Sequence, residues 1–389
     1  MKEYQKLILL VLIFLCAYFM PVEKLSFQKA IVSSFQMLKI YAREHVLFCL
    51  VPAFFIAGAI SFFVNKGEIM KYLGPDAPKF LSYTIASLSG SILAVCSCTV
   101  LPLFGGIWKK GAGIGPATAF LYSGPAINIL AMVLTARVLG LELGLARIIG
   151  AVGFAFIIGL IMSFIFGREK SEIERTGFAM ENLDPPKRKP IKDIIFFISL
   201  ILILIFATWG KPGKEVGFFN FIYSIHWYLA GLFLILLLYT IFSWIEKDER
   251  IGWVQETFSF VKMIFPLLIG GVLVSGFLFG VPGESSGVIP ANIIEKLLGG
   301  NSIFSNLFAS VFGALMYFAT LTEIPILQGL LGLGMGKGPA LTLLLAGPAL
   351  SLPNMIVITS FMGRKKAFTY FGLVIVMSTI TGFLYGLLF

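Results

Sequence analysis

Charged residues are scarce in this sequence. Only 13% of its 389 residues are Asp, Glu, Lys or Arg, whereas 58% are hydrophobic and the mean hydropathy is +0.94. Soluble domains carry about 25% charged residues, so this composition excludes a soluble protein. It predicts an all-α polytopic membrane protein, because the chain contains repeated apolar runs of the roughly 17–25 residues that a membrane-spanning helix needs.

The positive charge that the chain does carry, a formal net charge of +10, does not indicate a nucleic-acid partner. No basic patch is interleaved with aromatic residues in a soluble segment, as nucleic-acid binding would require. The excess of Lys and Arg is instead what membrane proteins place in their cytoplasmic loops. The expected partners are the lipid bilayer and a small-molecule substrate, with no nucleic acid, and the oligomeric state stays open.

Nucleotide-binding and zinc-peptidase motifs are absent from the sequence. It has no P-loop, no G-x-G-x-x-G after a strand and no H-E-x-x-H. The two histidines, His45 and His226, have no partners at metal-ligand spacing. We therefore expect no enzymatic activity, no cofactor and no metal. We expect transport to be driven by an ion gradient or by a partner protein.

The four cysteines form no disulfide framework, and two of them carry the sharpest local signal. Cys16 and Cys49 lie singly in apolar sequence, where a thiol behaves as a small hydrophobe. Cys96 and Cys98 form a C-x-C pair whose thiols would point about 200° apart on a regular helix. Chelation of one atom therefore needs an unwound backbone, which Pro102 favours. Thiolates prefer soft partners such as trivalent arsenic; the alternative is two small residues packed at a tight helix crossing.

The chain repeats itself. The stretch 99–132, "TVLPLFGGIWKKGAGIGPATAFLYSGPAINILAM", returns at 322–355 as "TEIPILQGLLGLGMGKGPALTLLLAGPALSLPNM", with a constant offset of 223 and 13 identities in 34 positions. Irregular backbone inside apolar sequence survives only where it faces protein or a watery cavity. Paired interrupted segments in two halves point to the binding site of a transporter. The matched helix-breaking residues are Pro102/Pro325, Gly106/Gly329, Gly115/Gly338, Pro116/Pro339, Gly124/Gly347 and Pro125/Pro348.

The sequence divides into two membrane repeats joined by a linker. We expect a first repeat over 1–167, a charged cytoplasmic linker over 168–192, a linker helix and loop over 193–226 and a second repeat over 227–389. Two amphipathic stretches, Leu25 to Tyr41 and Ile251 to Val261, are expected to lie at the membrane surface. Pro52 and Pro266 are expected to interrupt the helices that follow these stretches. The nine to eleven predicted membrane segments are 6–22, 46–64, 116–135, 143–167, 193–209, 227–245, 262–280, 339–361 and 367–388, with 80–95 and 303–320 leading into the repeated motif.

The relative direction of the repeats depends on how segments 80–113 and 303–336 cross the bilayer. If each enters and turns back as a re-entrant hairpin, the two halves are inverted; if each crosses, eleven spans run with parallel halves. Lys and Arg concentrate on the inner side. The inverted arrangement places 20 of the 30 inside and the better eleven-span arrangement places 17, so we expect inverted repeats with the hairpin tips near the midplane.

A carboxylate and several neutral polar residues lie at the repeated motifs. Glu323 lies in apolar sequence, opposite Val100 in the other repeat, and an intramembrane carboxylate indicates a proton or cation function by default; the alternative is a hydrated hairpin tip. Half-helix ends at the breaks hold polar or anionic substrates, unless the helices are kinked only for packing. The remaining candidate substrate-binding residues are Thr99, Ser123, Asn128, Thr322, Ser351 and Asn354.

The segments "CSCTVLPLFGGIWKKGAGIGPATAFLYSGPAIN" and "TEIPILQGLLGLGMGKGPALTLLLAGPALSLPNM" resemble the two signatures of the predicted permease family that includes the ArsP organoarsenical efflux permeases. The resemblance runs from about Val46 to the C-terminus. It implies a polytopic inner-membrane permease, and characterised relatives export trivalent organoarsenicals such as methylarsenite, with cysteines proposed to bind the arsenic. Asn128 corresponds to a family asparagine, but the acid that often follows it is Ile129 here.

Two classes of function follow. The first is a secondary-active permease that exports a small thiophilic solute, a trivalent (organo)arsenical, by alternating access with proton antiport. The second is a membrane dithiol oxidoreductase or sulfur-handling protein, which would not need a cysteine-free second repeat. Among transporters, an anion or other small-solute carrier is the alternative, with the cysteines as bystanders.

Overall fold

The structure is a computed structural model, and it describes residues 11–389 apart from 12–13, 16–17, 20, 65, 75–76, 94–96, 128–131, 133–134, 137, 168–189, 210–216, 282–286, 289–296, 317–322 and 333. Within that part of the chain every regular element is a helix, and only isolated β-bridges join Gly299 and Gly300 to Met335. The helices are α1 (Leu25–Tyr41), α2 (Val51–Phe63), α3 (Lys66–Leu73), α4 (Lys79–Leu93), α5 (Ser97–Lys109), α6 (Ile114–Ala126), α7 (Leu141–Phe166), α8 (Pro190–Ala207), α9 (Gly217–Trp244), α10 (Lys247–Phe279), α11 (Ile303–Leu315), α12 (Glu323–Gly332), α13 (Lys337–Leu350), α14 (Leu352–Met362) and α15 (Arg364–Leu388).

Several helices are long and apolar enough to cross a bilayer. In the described part of the chain five pass this test, Val46–Phe63, Leu141–Phe166, Asn220–Trp244, Lys247–Phe279 and Arg364–Leu388, and the pair α13 and α14, bent by 49°, makes a sixth. Their outward faces are apolar and exposed, as in Phe164 at 88% and Phe242 at 70%. A water-soluble protein would not leave such a surface uncovered, so the prediction of a helical polytopic membrane protein is confirmed.

The sequence repeat is also a repeat of the fold. Helices α4 to α7 of the first half recur as α11, α12, α13 and α15 of the second half at nearly the same offset of 223 residues. The helix contacts recur with them, through glycines whose missing Cβ lets two backbones approach. The matching close contacts are Gly115 with Gly159 and Gly338 with Gly382, then Gly90 with Gly124 and Gly313 with Gly347.

Turns between the helices repeat as well. Gly111 and Gly334 both have positive φ, at 90° and 100°, directly after the second helix of each hairpin. Gly140 and Gly363 have φ of 107° and 77° directly before α7 and α15. Because a residue with a Cβ is strained in this conformation, these identities follow from the backbone that each repeat must adopt.

Segments 80–113 and 303–336 each return to the place where they begin. The N–H of Gly113 donates to the carbonyl of Leu73 at 2.7 Å, and the N–H of Gly336 donates to that of Leu298 at 3.4 Å. The helices within them are also short. The longest, α4, has 15 residues and reaches about 22 Å, less than the roughly 30 Å of a bilayer core. The two ends of each segment therefore lie close together, which is the geometry of a hairpin; the expected meeting of the tips near Cys98 and Leu321 lies outside the described residues.

In the first half, α6 and α7 run antiparallel. Gly115, near the start of α6, packs against Gly159 near the end of α7. Tyr122, further along α6, packs against Phe154, which lies earlier in α7, with the ring centroids 5.8 Å apart and the ring planes tilted by 39°.

The helix equivalent to α6 in the second half, α13, runs parallel to α7. Lys337 at its start lies 3.4 Å from Glu142 at the start of α7. Leu345 packs against Gly150, and each of these residues lies about two turns further along its helix. Helices α6 and α13 are therefore antiparallel to each other. They meet where the hydroxyl of Tyr122 donates to the carbonyl of Leu345 at 3.1 Å, two residues separated by 223 positions.

The two amphipathic stretches differ from the sequence-based expectation. Helix α10 runs through Pro266 without a break, so Ile251 to Val261 is part of a 33-residue helix and not a separate surface helix. Leu25 to Tyr41 continues into α2 through a π-helical stretch, Ala42–Leu50. Pro52 lies in the first turn of α2, directly after this π-helical stretch.

The reason for the difference is packing between these two long helical runs. The hydroxyl of Ser34 donates to the carbonyl of Leu273 at 2.8 Å, and the indole of Trp253 donates to that of Phe55 at 2.9 Å. The runs therefore lie antiparallel along their whole length. Their mutual burial offsets the one hydrogen bond that Pro266 removes.

Candidate functional site

Glu323 is the first residue of α12, directly after the tip of the second hairpin. Its side chain is buried, with 1% of the residue exposed. A carboxylate at a helix N-terminus is stabilised by the free N–H groups there. This alone does not offset the loss of water around a charge inside a membrane, so a cationic partner is expected.

Arg147 is that partner. Its Nη2 lies 2.6 Å from Oε1 of Glu323, and neither side chain is more than 2% exposed. Its Nη1 donates to the hydroxyl of Thr135 at 2.8 Å. Arg147 and Thr135 belong to the first repeat and Glu323 to the second, so one buried ion pair joins α7 to the opposite hairpin.

The ion pair has no counterpart by repeat symmetry. The position equivalent to Glu323 is Val100, and the position equivalent to Arg147 is Tyr370. Tyr370 is fully buried, and its hydroxyl has no hydrogen-bond partner among the described residues. The hydroxyl of Tyr122 lies within electrostatic range of both Tyr370 and Arg147. These side chains form an asymmetric polar cluster, Tyr122, Arg147, Glu323 and Tyr370, between two otherwise similar halves.

Sequence reasoning missed Arg147. It lies inside the predicted span 143–167, in "LARIIG", and an arginine within a membrane span indicates a functional site as a carboxylate does. The residue was treated only as part of that span. Its partner could not be found from sequence, because 176 residues separate the two and only the fold brings them together.

The breaks of the two repeats come shortly after their Gly-Pro pairs. Helix α6 continues through Gly124 and Pro125 to Ala126, and α13 continues through Gly347 and Pro348 to Leu350. In the hairpins, Pro102 lies inside α5 and Pro325 is the third residue of α12. The break in the second half falls at Ser351, and Ser351 and Asn354 are both buried beside it.

The polar residues of the first half are placed differently. The hydroxyl of Ser123 donates to the carbonyl of Phe120 at 3.1 Å, within its own helix, and is fully buried. Thr99 is buried in the first turn of α5, where Cys98 also lies. The side chain of Cys98 and the whole of Cys96, Asn128 and Thr322 are outside the described residues.

The lysines that end the first hairpin face a carboxylate on α10. Nζ of Lys109 lies 3.6 Å from Oε2 of Glu256, which also accepts a hydrogen bond from Ser61 at 3.0 Å. Burial lowers the pKa of Lys110, and the charge of Glu256 opposes that shift. The ion pair of Lys109 with Glu256 links the end of the first hairpin to α10.

Two hairpin segments, a broken helix and a charged pair buried between two repeats are the features of a polytopic membrane permease. The chain belongs to the family described as predicted permease, ArsP_1, whose profile matches residues 31–387. Membership supports a transporter and not an enzyme.

The curated relatives agree with this assignment. The UPF0718 protein MJ0584 of Methanocaldococcus jannaschii is 43% identical over 351 residues, which are 90% of this chain and 93% of the relative. The UPF0718 protein YraQ of Escherichia coli K12 is 24% identical over 303 residues, 77% of this chain and 65% of the relative. No solved structure matches the chain.

Proposed function

We propose that this protein is a secondary-active permease of the cell inner membrane that exports a small thiophilic solute, a trivalent organoarsenical, by alternating access coupled to proton antiport. The observation that carries the proposal is the ion pair between Arg147 and Glu323, because it is buried, charged and shared between the two repeats. This ion pair joins both halves at a hairpin tip, so it must break or rearrange when the halves move against each other.

Alternating access is supported by the directions of equivalent helices. Antiparallel α6 and α13, crossing at Tyr122 and Leu345, are what inverted repeats would give. Inverted repeats allow two states of similar energy, in which each repeat in turn adopts the conformation of the other. The access path then opens to one side in one state and to the opposite side in the other.

Proton coupling follows from separating the ion pair. When α7 moves away from the second hairpin, Glu323 loses Arg147, and a buried carboxylate without a cation is unfavourable. Binding one proton removes its charge, whereas Arg147 keeps its hydrogen bond to Thr135. The proton is released when the pair forms again, so one cycle can move one proton against one solute.

The solute would bind at the tip of the first hairpin. In this proposal Cys96 and Cys98 supply soft sulfur ligands, and the candidate neutral polar residues for binding the solute are Thr99, Thr322, Ser123 and Asn128. Each thiol displaces one hydroxyl group from arsenic, and the thiol proton leaves with that hydroxyl as water. Release reverses this exchange by taking water back. The bound form is therefore uncharged, which favours passage through an apolar protein interior.

An anion or other small-solute carrier is a second candidate. The observation in its favour is Arg147, a fully buried guanidinium whose Nε has no hydrogen-bond partner among the described residues. An anionic solute could compete with Glu323 for this group, and the cysteines would then have no role in binding.

The coupling test uses Glu323→Gln, which removes the charge but keeps the shape of the side chain. In reconstituted vesicles the variant is expected to bind the arsenical as the unmodified protein does, but to lose transport driven by an imposed pH gradient. Glu256→Gln, which removes a carboxylate paired with Lys109 at the hairpin end, is the control and should keep coupling. A Glu323→Gln protein that transports at the full rate under the gradient would contradict the assignment.

The inverted arrangement predicts which membrane side each repeat presents. Glu142 and Lys365 are equivalent, exposed residues in the first turns of α7 and α15. In a background in which the four native cysteines are serine, Glu142→Cys and Lys365→Cys should react with a membrane-impermeant maleimide from opposite sides. Labelling of both from one side in oriented vesicles would establish parallel halves instead.

A further inference from the structure

The break between α13 and α14 leaves two buried oxygen atoms without partners. The helices bend by 49° at Ser351, whose hydroxyl makes no capping hydrogen bond. The hydroxyl of Ser351 and Oδ1 of Asn354 have no hydrogen-bond partner among the described residues, although these residues are only 1% and 2% exposed. An unsatisfied polar atom in such a position is destabilising, so a bound group is expected there.

The backbone at this break leaves a third acceptor without its regular helical donor. Pro353 has no N–H, so the carbonyl of Ala349, four residues earlier, lacks its helical donor. The carbonyls at the C-terminal end of α13 also carry the negative end of that helix dipole. Both effects place electron-rich oxygen where the chain bends.

A fourth oxygen comes from α10. Gly271 packs directly against Pro353, with no side chain between the two backbones. Ser275 lies one turn further on the same face of α10. Its hydroxyl is buried and also has no hydrogen-bond partner among the described residues.

We propose that this break, formed by Ser351, Asn354, the carbonyl of Ala349 and Ser275, is a binding site for a monovalent cation of the Na⁺ class. Oδ1 of Asn354 and the Ala349 carbonyl can only accept hydrogen bonds or coordinate a cation. All four groups are neutral oxygens, the ligands that unwound transporter helices offer to Na⁺.

A divalent cation does not fit this donor set. Ca²⁺ sites rely on carboxylates, and none of the four groups carries charge. Among the described residues, no group of three or more His, Cys, Asp or Glu side chains could hold a metal ion. The site therefore favours a monovalent cation over a divalent one.

The site belongs to one repeat only. The positions equivalent to Ser351 and Asn354 in the first half are Asn128 and Ala131. Alanine at the second position supplies no side-chain oxygen ligand. We therefore expect one cation for each chain, as the single ion pair also breaks the symmetry of the repeats.

Cation binding can be tested without the transported solute. Purified full-length protein is incubated with ²²Na⁺, and its thermal unfolding is followed in NaCl, KCl or choline chloride at one ionic strength. We expect saturable ²²Na⁺ binding near one per chain and a higher unfolding temperature in NaCl than in choline chloride. Only a role of this cation in coupling rests on the proposed transport function; the binding measurement does not, so the two can fail separately.

Three variants assign the site. Asn354→Ala should weaken Na⁺ binding at least about tenfold. Asn354→Asp adds a carboxylate and should tighten Na⁺ binding and admit Ca²⁺, a gain that a purely structural asparagine would not produce. Pro353→Ala restores an N–H for the Ala349 carbonyl and should weaken Na⁺ binding in a folded protein.

Ser360→Ala is the matched control, because its hydroxyl already donates to the carbonyl of Val357 at 2.6 Å on the same helix. It should bind Na⁺ as the unmodified chain does. Absence of ²²Na⁺ binding in both the unmodified protein and Asn354→Asp would overturn the proposal and leave water as the occupant. Equal weakening by Ser360→Ala would also overturn it.

Discussion

Arg147→Met is expected to destabilise the protein by about 3–5 kcal/mol, the usual cost of removing one partner from a buried ion pair. Methionine fills much of the same volume, so the loss does not come from a cavity. It comes from Glu323, which at 1% exposure has lost the guanidinium that lay 2.6 Å away and must either stay charged without a partner or take up a proton. Thermal unfolding of purified protein in detergent measures the effect.

The double variant Arg147→Met with Glu323→Leu separates pairing from burial. Replacing a buried ion pair by apolar residues is often neutral or stabilising, so the double variant should recover most of the lost stability. The exposed pair of Glu142 and Lys337 is the control, since Glu142→Gln should cost less than about 1 kcal/mol. A single Arg147→Met variant as stable as the unmodified chain would show that the pair does not hold the two halves.

A change of pH provides a second test of the same pair. In Arg147→Met, a proton can neutralise the unpaired Glu323, so the loss of stability should be smaller at about pH 5 than at about pH 8. The double variant contains neither charge and should not show this dependence. The comparison shows whether the instability originates at Glu323 or in the packing of α7.

The hairpin turns and helix ends could be predicted because their determinants are local. Glycine and proline positions in 99–132 and 322–355 specify turns and helix ends wherever they occur. The two hydrogen bonds that close the hairpins, at Gly113 and Gly336, fall on equivalent residues of that repeat. The number of Lys and Arg residues on the inner side favoured the same hairpin arrangement. That number depends only on which loops carry these residues, which is also a local property.

The polar cluster could not be predicted in the same way. The contact between Arg147 and Glu323 depends on how α7 of one repeat lies against the hairpin of the other, which no sequence pattern reports. The continuity of α10 through Pro266 was missed for a related reason. A proline raises the cost of a helix locally, but packing along α1 and α2 overrides that cost.

The asymmetry of the two repeats has a consequence for mechanism. Two identical repeats would give two states of equal energy. An ion would then bind both states equally well and could not drive the change between them. In the proposed alternating-access cycle, Glu323 opposite Val100 and Arg147 opposite Tyr370 would give the two states different electrostatic energies. A proton can then shift the balance between them, since a ligand moves an equilibrium only through different affinity for its two states.

Changing either Cys96 or Cys98 to serine is expected to abolish resistance of expressing cells to trivalent organoarsenicals while leaving the amount of protein unchanged. Serine is nearly the same size but offers a hard oxygen ligand that does not compete for a soft metalloid. Loss of either sulfur breaks the chelate, because a single thiol releases its ligand far more readily than two held on one hairpin tip. Cell-associated arsenic and growth in the presence of the arsenical give the two readouts.

Three comparisons decide the interpretation of that experiment. Cys49→Ala removes a buried thiol outside the hairpins and should leave resistance intact. Pentavalent arsenicals, which lack affinity for thiols, should not be exported by the unmodified protein. If both serine variants retain full resistance, the cysteines do not bind the solute. Arg147, buried beside Glu323, then becomes the group on which the solute must bind, and the anion-carrier interpretation replaces the thiophilic one.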